Sequence, residues 1–478
     1  MSDVPTSVEA FGYKQELKRS LSLFDLLVYG MVFIVPGAPV AVFGIVFNAS
    51  HGMVPLVYLI GLVAMLFTAL SYMTMSRALP VAGSVYTYAA HGLGPTAGFF
   101  AGWAILLDYL LLPTLNYVAC AIAVHSALPA IPAWFWVVAL LGFATIVNYF
   151  GIETTARANV FLLVFQLIVI ALFTAIALYA LNKGVGGAHF STLPLYNPKE
   201  ISPGLLFGAL SLAVLSFLGF DAISTLSEES RGGAGAIARA TMLSLVISAI
   251  LFVGQTWLAS LFVLGRTSFP EGDQTNTLFY SVAQMVGGYG LKFVLAVPCV
   301  MLSGLAGALT AQAATARLLY SMARDGKLPR VLAHIHPERK IPDYAIFLIA
   351  AVTLVLGIAL VDKLELLTSM VSFGALVGFL LLHLSVMAFF LWQRKSTDWL
   401  RHLIVPVVGL AIIAYVLVEA ETNAKIAGIC WMIGGVVLFV TLRAMGRSTD
   451  LPVDNPSPPL EGEGRSEAER EAFIASRE

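Results

Sequence analysis

The sequence predicts an all-α membrane protein of about twelve transmembrane helices, the first and sixth of them interrupted. Three observations predict it. Hydrophobic residues fill 59% of the 478 positions and charged residues 12%, about half the charged share of a soluble domain, and mean hydropathy is +0.87. About twelve apolar stretches reach the roughly 18 residues that cross a bilayer core as a helix. These stretches are continuous rather than alternating, which favours helices over the strands of a barrel.

The elements follow in chain order. Residues 1–22 are a polar N-terminal segment carrying Lys14, Lys18 and Arg19, without the short apolar core and small-residue cleavage site of a signal peptide. Spans are expected at 24–47, 53–76, 95–128, 133–150, 158–181, 203–227, 240–264, 291–322, 343–361, 365–392, 402–420 and 425–446, forming one domain over 23–447. Trp134, Trp136, Trp392 and Trp399 fall at span ends, where aromatic belts form. Residues 448–478 are rich in Pro, Glu and Ser and read as a disordered tail. Six of the 27 Lys and Arg lie in the outer connections (Lys183, Lys199, Arg266, Lys292, Lys363 and Lys425), leaving 21 for the inner connections and tails. Basic residues collect on the cytoplasmic side, so both termini are expected inside.

Several function classes find no support. A net charge of −1 does not suit a nucleic-acid binder. Cys120, Cys299 and Cys430 lie in apolar runs without zinc or CxxC spacing. His334 and His336 sit in the basic connection 323–342, and His125 and His383 in spans without a second ligand, so all four read as structural. No Walker loop, dinucleotide fingerprint or Ser/His/Asp order argues for an enzyme or an ATP-driven pump. No cofactor or metal is expected.

The informative features are two broken spans and two buried acids. The first span reads Phe33-Ile34-Val35-Pro36-Gly37-Ala38-Pro39, and proline lacks the amide that a helix needs. The sixth reads Ser216-Phe217-Leu218-Gly219-Phe220-Asp221. The first five spans and the next five have similar lengths, with Pro36 and Gly219 at corresponding places. Paired interruptions in two halves mark the substrate site of an inverted-repeat transporter, where unwound backbone holds a polar cargo. A simple kink is the plainer reading of either break alone.

Every Lys and Arg falls in a connection, a tail or at a span end, whereas Asp108 and Asp221 lie deep in spans and Asp25 at the entrance of the first. A charge at mid-bilayer costs about 2.5–3.5 kcal/mol on insertion scales, so such residues face a cavity or a partner. With no basic partner expected in the core, a proton or a bound cation must relieve the two acids. Tyr109 follows Asp108, and Phe217 and Phe220 flank Gly219; aromatic faces attract ammonium groups. Plain helix packing stays open for the aromatics, and a neutral, hydrogen-bonded acid for each aspartate.

Three motifs carry a family resemblance. The connection after the second span reads Leu79-Pro80-Val81-Ala82-Gly83-Ser84-Val85-Tyr86-Thr87-Tyr88, followed by Gly94-Pro95, Gly98 and Gly102-Trp103. The sixth span ends in Thr225-Leu226-Ser227-Glu228-Glu229. The eighth ends in Ala316-Arg317-Leu318-Leu319-Tyr320-Ser321-Met322-Ala323-Arg324-Asp325-Gly326. In these the chain resembles the amino acid–polyamine–organocation (APC) permeases over residues 20–445. Trp103, Asp108 and Tyr109 with Pro113 and Asn116, and Phe217 to Asp221, are similar to the bacterial putrescine importers of that family. The resemblance implies a LeuT-like five-plus-five inverted repeat in the cell (inner) membrane, substrate held between the first and sixth breaks, proton-motive uptake, and Tyr109 facing the site. Three departures stand out. Val35-Pro36-Gly37-Ala38-Pro39 replaces the glycine–serine break that grips an α-carboxylate in many amino acid permeases. Gln166 stands where some relatives carry a lysine linked to proton coupling. Ser230-Arg231-Gly232-Gly233-Ala234-Gly235 replaces a proline-containing turn.

These readings converge on a proton-coupled importer of a small polyamine, with putrescine first. The expected substrate-binding set is Val35, Pro36, Gly37, Asp108, Tyr109, Phe217, Gly219, Phe220 and Asp221. One ammonium would rest near Asp221 and the carbonyls around Val35 and Gly219, the other toward Asp108 and Tyr109, with Asp221 carrying the coupling proton. The expected partners are a small cationic substrate, protons and the lipid bilayer, and no nucleic acid. The alternative is an amino acid permease, symporter or exchanger, because the positive end of a half-helix holds a carboxylate without an arginine. A sensor or scaffold that moves nothing has only the tail in its favour.

Overall fold

Apolar runs this long can satisfy their backbone in lipid only by coiling, and each run is helical in the computed structural model, which describes residues 16–444 except 128–129, 271–272, 362–363 and 421. The tail from 448 and most of the N-terminal segment lie outside the described residues, as do the side chains of His125 and Cys299. The helices are α1 (Leu23–Ile34), α2 (Ala38–Ala49), α3 (Val54–Ala78), α4 (Val85–Gly92), α5 (Pro95–Ala127), α6 (Ala133–Tyr149), α7 (Ile152–Asn182), α8 (Pro203–Ala213), α9 (Gly233–Ser260), α10 (Asp273–Asn276), α11 (Leu278–Val294), α12 (Val300–Arg324), α13 (Asp343–Ala359), α14 (Leu364–Met387), α15 (Val405–Glu419) and α16 (Thr422–Ala444). Among the described residues no strand forms, only a parallel bridge between Leu21 and Ser230.

Among the described residues, eight helical segments are long and apolar enough to cross a membrane. Two further stretches pass the same test as bent pairs: α1 with α2, bent by 42°, and the sixth stretch, bent by 48° between Pro203–Leu210 and Val214–Glu229. The helices α6 and α13 are apolar but only 17 residues long.

The first break has a clear local cause. Ser22 and Asp25 form a reciprocal capping box that starts α1, Ser22 N donating to Asp25 Oδ2 at 2.9 Å and Asp25 N to Ser22 Oγ at 3.3 Å. Pro36 then supplies no amide, and Val35 adopts φ +59°. A β-branched residue there is strained by about 1–3 kcal/mol. Helix α2 restarts with proline in its first turn, where the missing amide costs nothing. The second break starts earlier than Gly219. Residues Val214–Phe217 already wind as a 3-10 helix, Gly219 takes φ +116°, and Phe220–Glu229 continues as 3-10.

Two elements go beyond the sequence reading. The connection after the second span contains α4. The connection 265–290 contains α10 and most of α11, which turns at Gly288 (φ +71°). Its apolar positions Leu278, Phe279, Val282 and Ala283 are buried, and the Phe279 ring meets Phe43 at 5.5 Å and Phe173 at 4.8 Å.

At the periphery, α16 exposes Ile426, Ile429, Ile433, Val436, Val437 and Val440, as a lipid-facing helix should. It is held by Trp103 and Trp431, whose rings stack at 4.6 Å and whose indoles each donate to the other's carbonyl, at 2.8 and 2.7 Å. His383 is buried between Thr68 and Ser71, 3.3 and 3.0 Å away, and Cys120 is buried.

Candidate functional site

The two breaks touch. Gly219 lies against Phe33, so that a side chain on Gly219 would overlap the Phe33 ring. That ring packs on Tyr109 at 6.0 Å. On the other side of the first break, Gln255 of α9 donates to the Pro36 carbonyl at 2.9 Å and so fixes the unwound strand. Val35 and Asn116 share the surface of Gly307 in α12: a Cβ there would lie 3.1 Å from Val35 Cγ2 and 2.9 Å from Asn116 Nδ2. Asn116 and Tyr109 stand seven residues apart on one face of α5. Gly37 caps α2, whose first-turn amides are met by backbone: Ala38 N donates to the Val35 carbonyl at 2.8 Å and Val40 N to the Gly37 carbonyl at 3.0 Å.

The acids sit at this junction. Asp221 is 0% and Asp108 1% exposed. The Tyr109 hydroxyl donates to Asp221 Oδ2, while Asp221 Oδ1 and both oxygens of Asp108 have no hydrogen-bond partner. Asp108 and Asp221 are close enough to repel each other, and Tyr72 lies within electrostatic reach of both. Tyr72, Phe220 and Phe379 form an aromatic wall with centroids 5.9–6.0 Å apart. Thr315 of α12 donates to the Tyr109 carbonyl at 2.6 Å and seats α5. Val35, Asp108, Tyr109, Gly219, Phe220 and Asp221 are thus brought to one junction of broken helices. Phe217 is not: its ring packs on Tyr58 and Phe252 at 5.9 and 5.3 Å.

The sequence reading placed no base inside the bundle, and here the structure corrects it. Arg317 is buried at 2% exposure, gripping Glu229 through Nε and Nη2 at 2.7 and 2.9 Å. Arg324 grips Glu228 at 3.0 and 3.2 Å, and Ala82 N donates to Glu228 at 3.1 Å. Both glutamates are 1% exposed. The reason is reciprocal: an arginine fork matched to a carboxylate stays charged in a dry site. These cations are matched by the glutamates, so among the described residues no ion pair to Asp108 or Asp221 is found.

Sequence reasoning also missed Tyr72, Phe379 and Gln255. Gln255 could have been found as a polar residue in an apolar span; Tyr72 and Phe379 look like any membrane aromatic. Among the described residues no group of three or more His, Cys, Asp or Glu is placed to hold a metal ion.

A family model described as amino acid permease matches residues 22–443. The chain is 33% identical to the low-affinity putrescine importer PlaP of Escherichia coli K12, over 88% of this chain and 93% of that protein. It is 26% identical to the branched-chain amino acid permease BcaP of Bacillus subtilis, over 90% and 94%, and 24% identical to the methylthioribose transporter of Bacillus subtilis, over 91% and 95%. The chain belongs to the amino acid permease family and is a multi-pass membrane transporter, not an enzyme.

Proposed function

We propose that the chain imports a small polyamine, putrescine first, driven by protons. The observation that carries this reading is the pair of buried carboxylates at the junction of the breaks. Three of their four oxygens lack a partner, and Arg317 and Arg324 are already matched to glutamates. A diamine brings two positive charges and no carboxylate, which complements this site. One ammonium rests at Asp221 and the carbonyls around Val35 and Gly219. The other points to Asp108, with the methylenes along Tyr72, Phe220 and Phe379. Tyr109 orients the Asp221 carboxylate, which carries the coupling proton when the cation leaves. The similarity to PlaP supports this cargo. We further propose twelve crossings, ten of them in a five-plus-five inverted repeat, with both termini on the cytoplasmic side of the inner membrane.

A second reading, an amino acid permease working by symport or exchange, is favoured by the similarity to BcaP. Uptake by proteoliposomes with an imposed pH gradient separates the two. Putrescine is expected to accumulate under an inward proton gradient, to be displaced by other diamines and not by leucine, and to lose gradient-driven accumulation at least tenfold in Asp221→Asn. Inhibition by leucine and not by diamines reverses the assignment of cargo. An Asp221→Asn variant that still concentrates putrescine removes the coupling role.

A further inference from the structure

Helix α5 carries Asp108, Tyr109 and, one turn on, Pro113, and it runs on through the proline. In an α-helix the amide of residue 113 donates to the carbonyl of residue 109. Proline has no amide, and its ring crowds that carbonyl. Tyr109 thus loses the helical donor to its backbone, and it is the residue whose hydroxyl reaches Asp221. Tyr109 is buried, and lipid supplies no water in place of the missing donor.

The replacement comes from α12. Thr315 Oγ1 lies 2.6 Å from the Tyr109 carbonyl oxygen and 2.7 Å from that of Ala311, so its one hydrogen serves two acceptors. The two are not equivalent. The Ala311 carbonyl has the Thr315 amide as its ordinary helical donor, and a helical threonine commonly bonds back in this way. The Tyr109 carbonyl has lost its own donor. Helix α14 backs the same turn: a Cβ on Gly374 would lie 2.7 Å from the Ala104 carbonyl oxygen and 2.8 Å from the Asp108 amide. A continuous line of bonds therefore runs from α12 to the sixth break, from the Thr315 hydroxyl to the Tyr109 carbonyl and from the Tyr109 hydroxyl to Asp221.

We infer that Thr315 is a positioning residue of the cargo site: its hydroxyl replaces the amide that Pro113 withholds from Tyr109, and so sets where the Tyr109 hydroxyl meets the Asp221 carboxylate. Proline frees the Tyr109 carbonyl to be held from outside its own helix, so α12 and not α5 alone fixes this tyrosine. The inference rests on the proposed site at the two breaks and not on which cargo fills it.

Two measurements on the purified full-length chain test it. Thermal midpoints without cargo read the exchange of donors. Thr315→Val keeps the shape and removes the hydroxyl. It is expected to lower the midpoint by about three degrees or more beside Pro113, and by less than about one degree in Pro113→Ala, whose new amide serves Tyr109. Equal loss in both backgrounds, or none in either, overturns the inference. Where Thr315→Val alone does not fold, the chain carrying Pro113→Ala as well is expected to fold, and its failure to do so overturns the inference. Equilibrium binding reads the positioning, with putrescine, or with leucine if the unaltered chain binds that instead. Thr315→Val is expected to weaken binding at least tenfold and Thr315→Ser to stay within threefold of the unaltered chain. In Tyr109→Phe, where no hydroxyl is left to place, adding Thr315→Val is expected to cost less than twofold more. Unweakened binding in Thr315→Val, no rescue by serine, or an equal loss in Tyr109→Phe overturns the inference. Binding of leucine and not putrescine by the unaltered chain overturns the cargo reading alone.

Discussion

Gly219 is the residue whose identity is most narrowly set. It takes φ +116°, and its missing side chain leaves the room that the Phe33 ring occupies. Either constraint alone disfavours alanine; together they oppose it in both conformation and space. Gly219→Ala is expected to cost about 1–3 kcal/mol in stability from backbone strain alone, and to weaken cargo binding more than tenfold because Phe33 positions Tyr109. Thermal unfolding in detergent and equilibrium binding check the two effects separately. Arg317 makes the opposite point about residues. Its match to Glu229 spans 88 positions of sequence, so nothing local announces it, and near the end of an apolar run it reads as an ordinary boundary arginine. Asp108 and Asp221 were legible because an acid inside an apolar run has few uses. Phe217 looked equivalent to Phe220, but on the 3-10 turn before the break it swings to the α3–α9 side.

At the scale of elements, proline and glycine announced where helices stop, and less reliably where they loosen. The first break lies where Pro36 puts it. The sixth begins at Val214, five residues before the glycine, because a 3-10 turn needs no breaker. Helix α11 was hidden because its buried positions are separated by polar residues and glycines, which lowers average hydropathy below that of a span. Helix α4 was hidden because eight residues are too few to show a period. The elements of the proposed cargo site differ in how they are held: α5 is pinned by Thr315, the break after α1 by Gln255. Gln255→Leu removes the side-chain donor to the Pro36 carbonyl and leaves a buried acceptor unmet, at a cost of about 1–3 kcal/mol. Cargo affinity is expected to fall several-fold while the protein still folds and inserts, checked by binding on purified protein.

For the whole molecule, charge is sorted along the sequence. Under the proposed topology 21 of the 27 Lys and Arg fall in the inner connections and tails, and among the described residues the buried Glu228 and Glu229 are matched by Arg324 and Arg317. That bias is the argument for the proposed orientation. A C-terminal fluorescent-protein fusion is therefore expected to fluoresce in a bacterial host, and a C-terminal alkaline phosphatase fusion to be inactive; the reverse pattern would invert the topology.

The Trp103–Trp431 pair has a use beyond fastening α16 to α5. Two indoles stacked at 4.6 Å with planes 14° apart couple their electronic transitions, so they contribute a paired signal to the circular dichroism of the unlabelled chain. Since one ring belongs to the helix that bears Asp108 and Tyr109 and the other to a helix facing lipid, any sliding between inner and outer layers during a transport cycle would alter that signal. The chain thus carries its own optical gauge of motion.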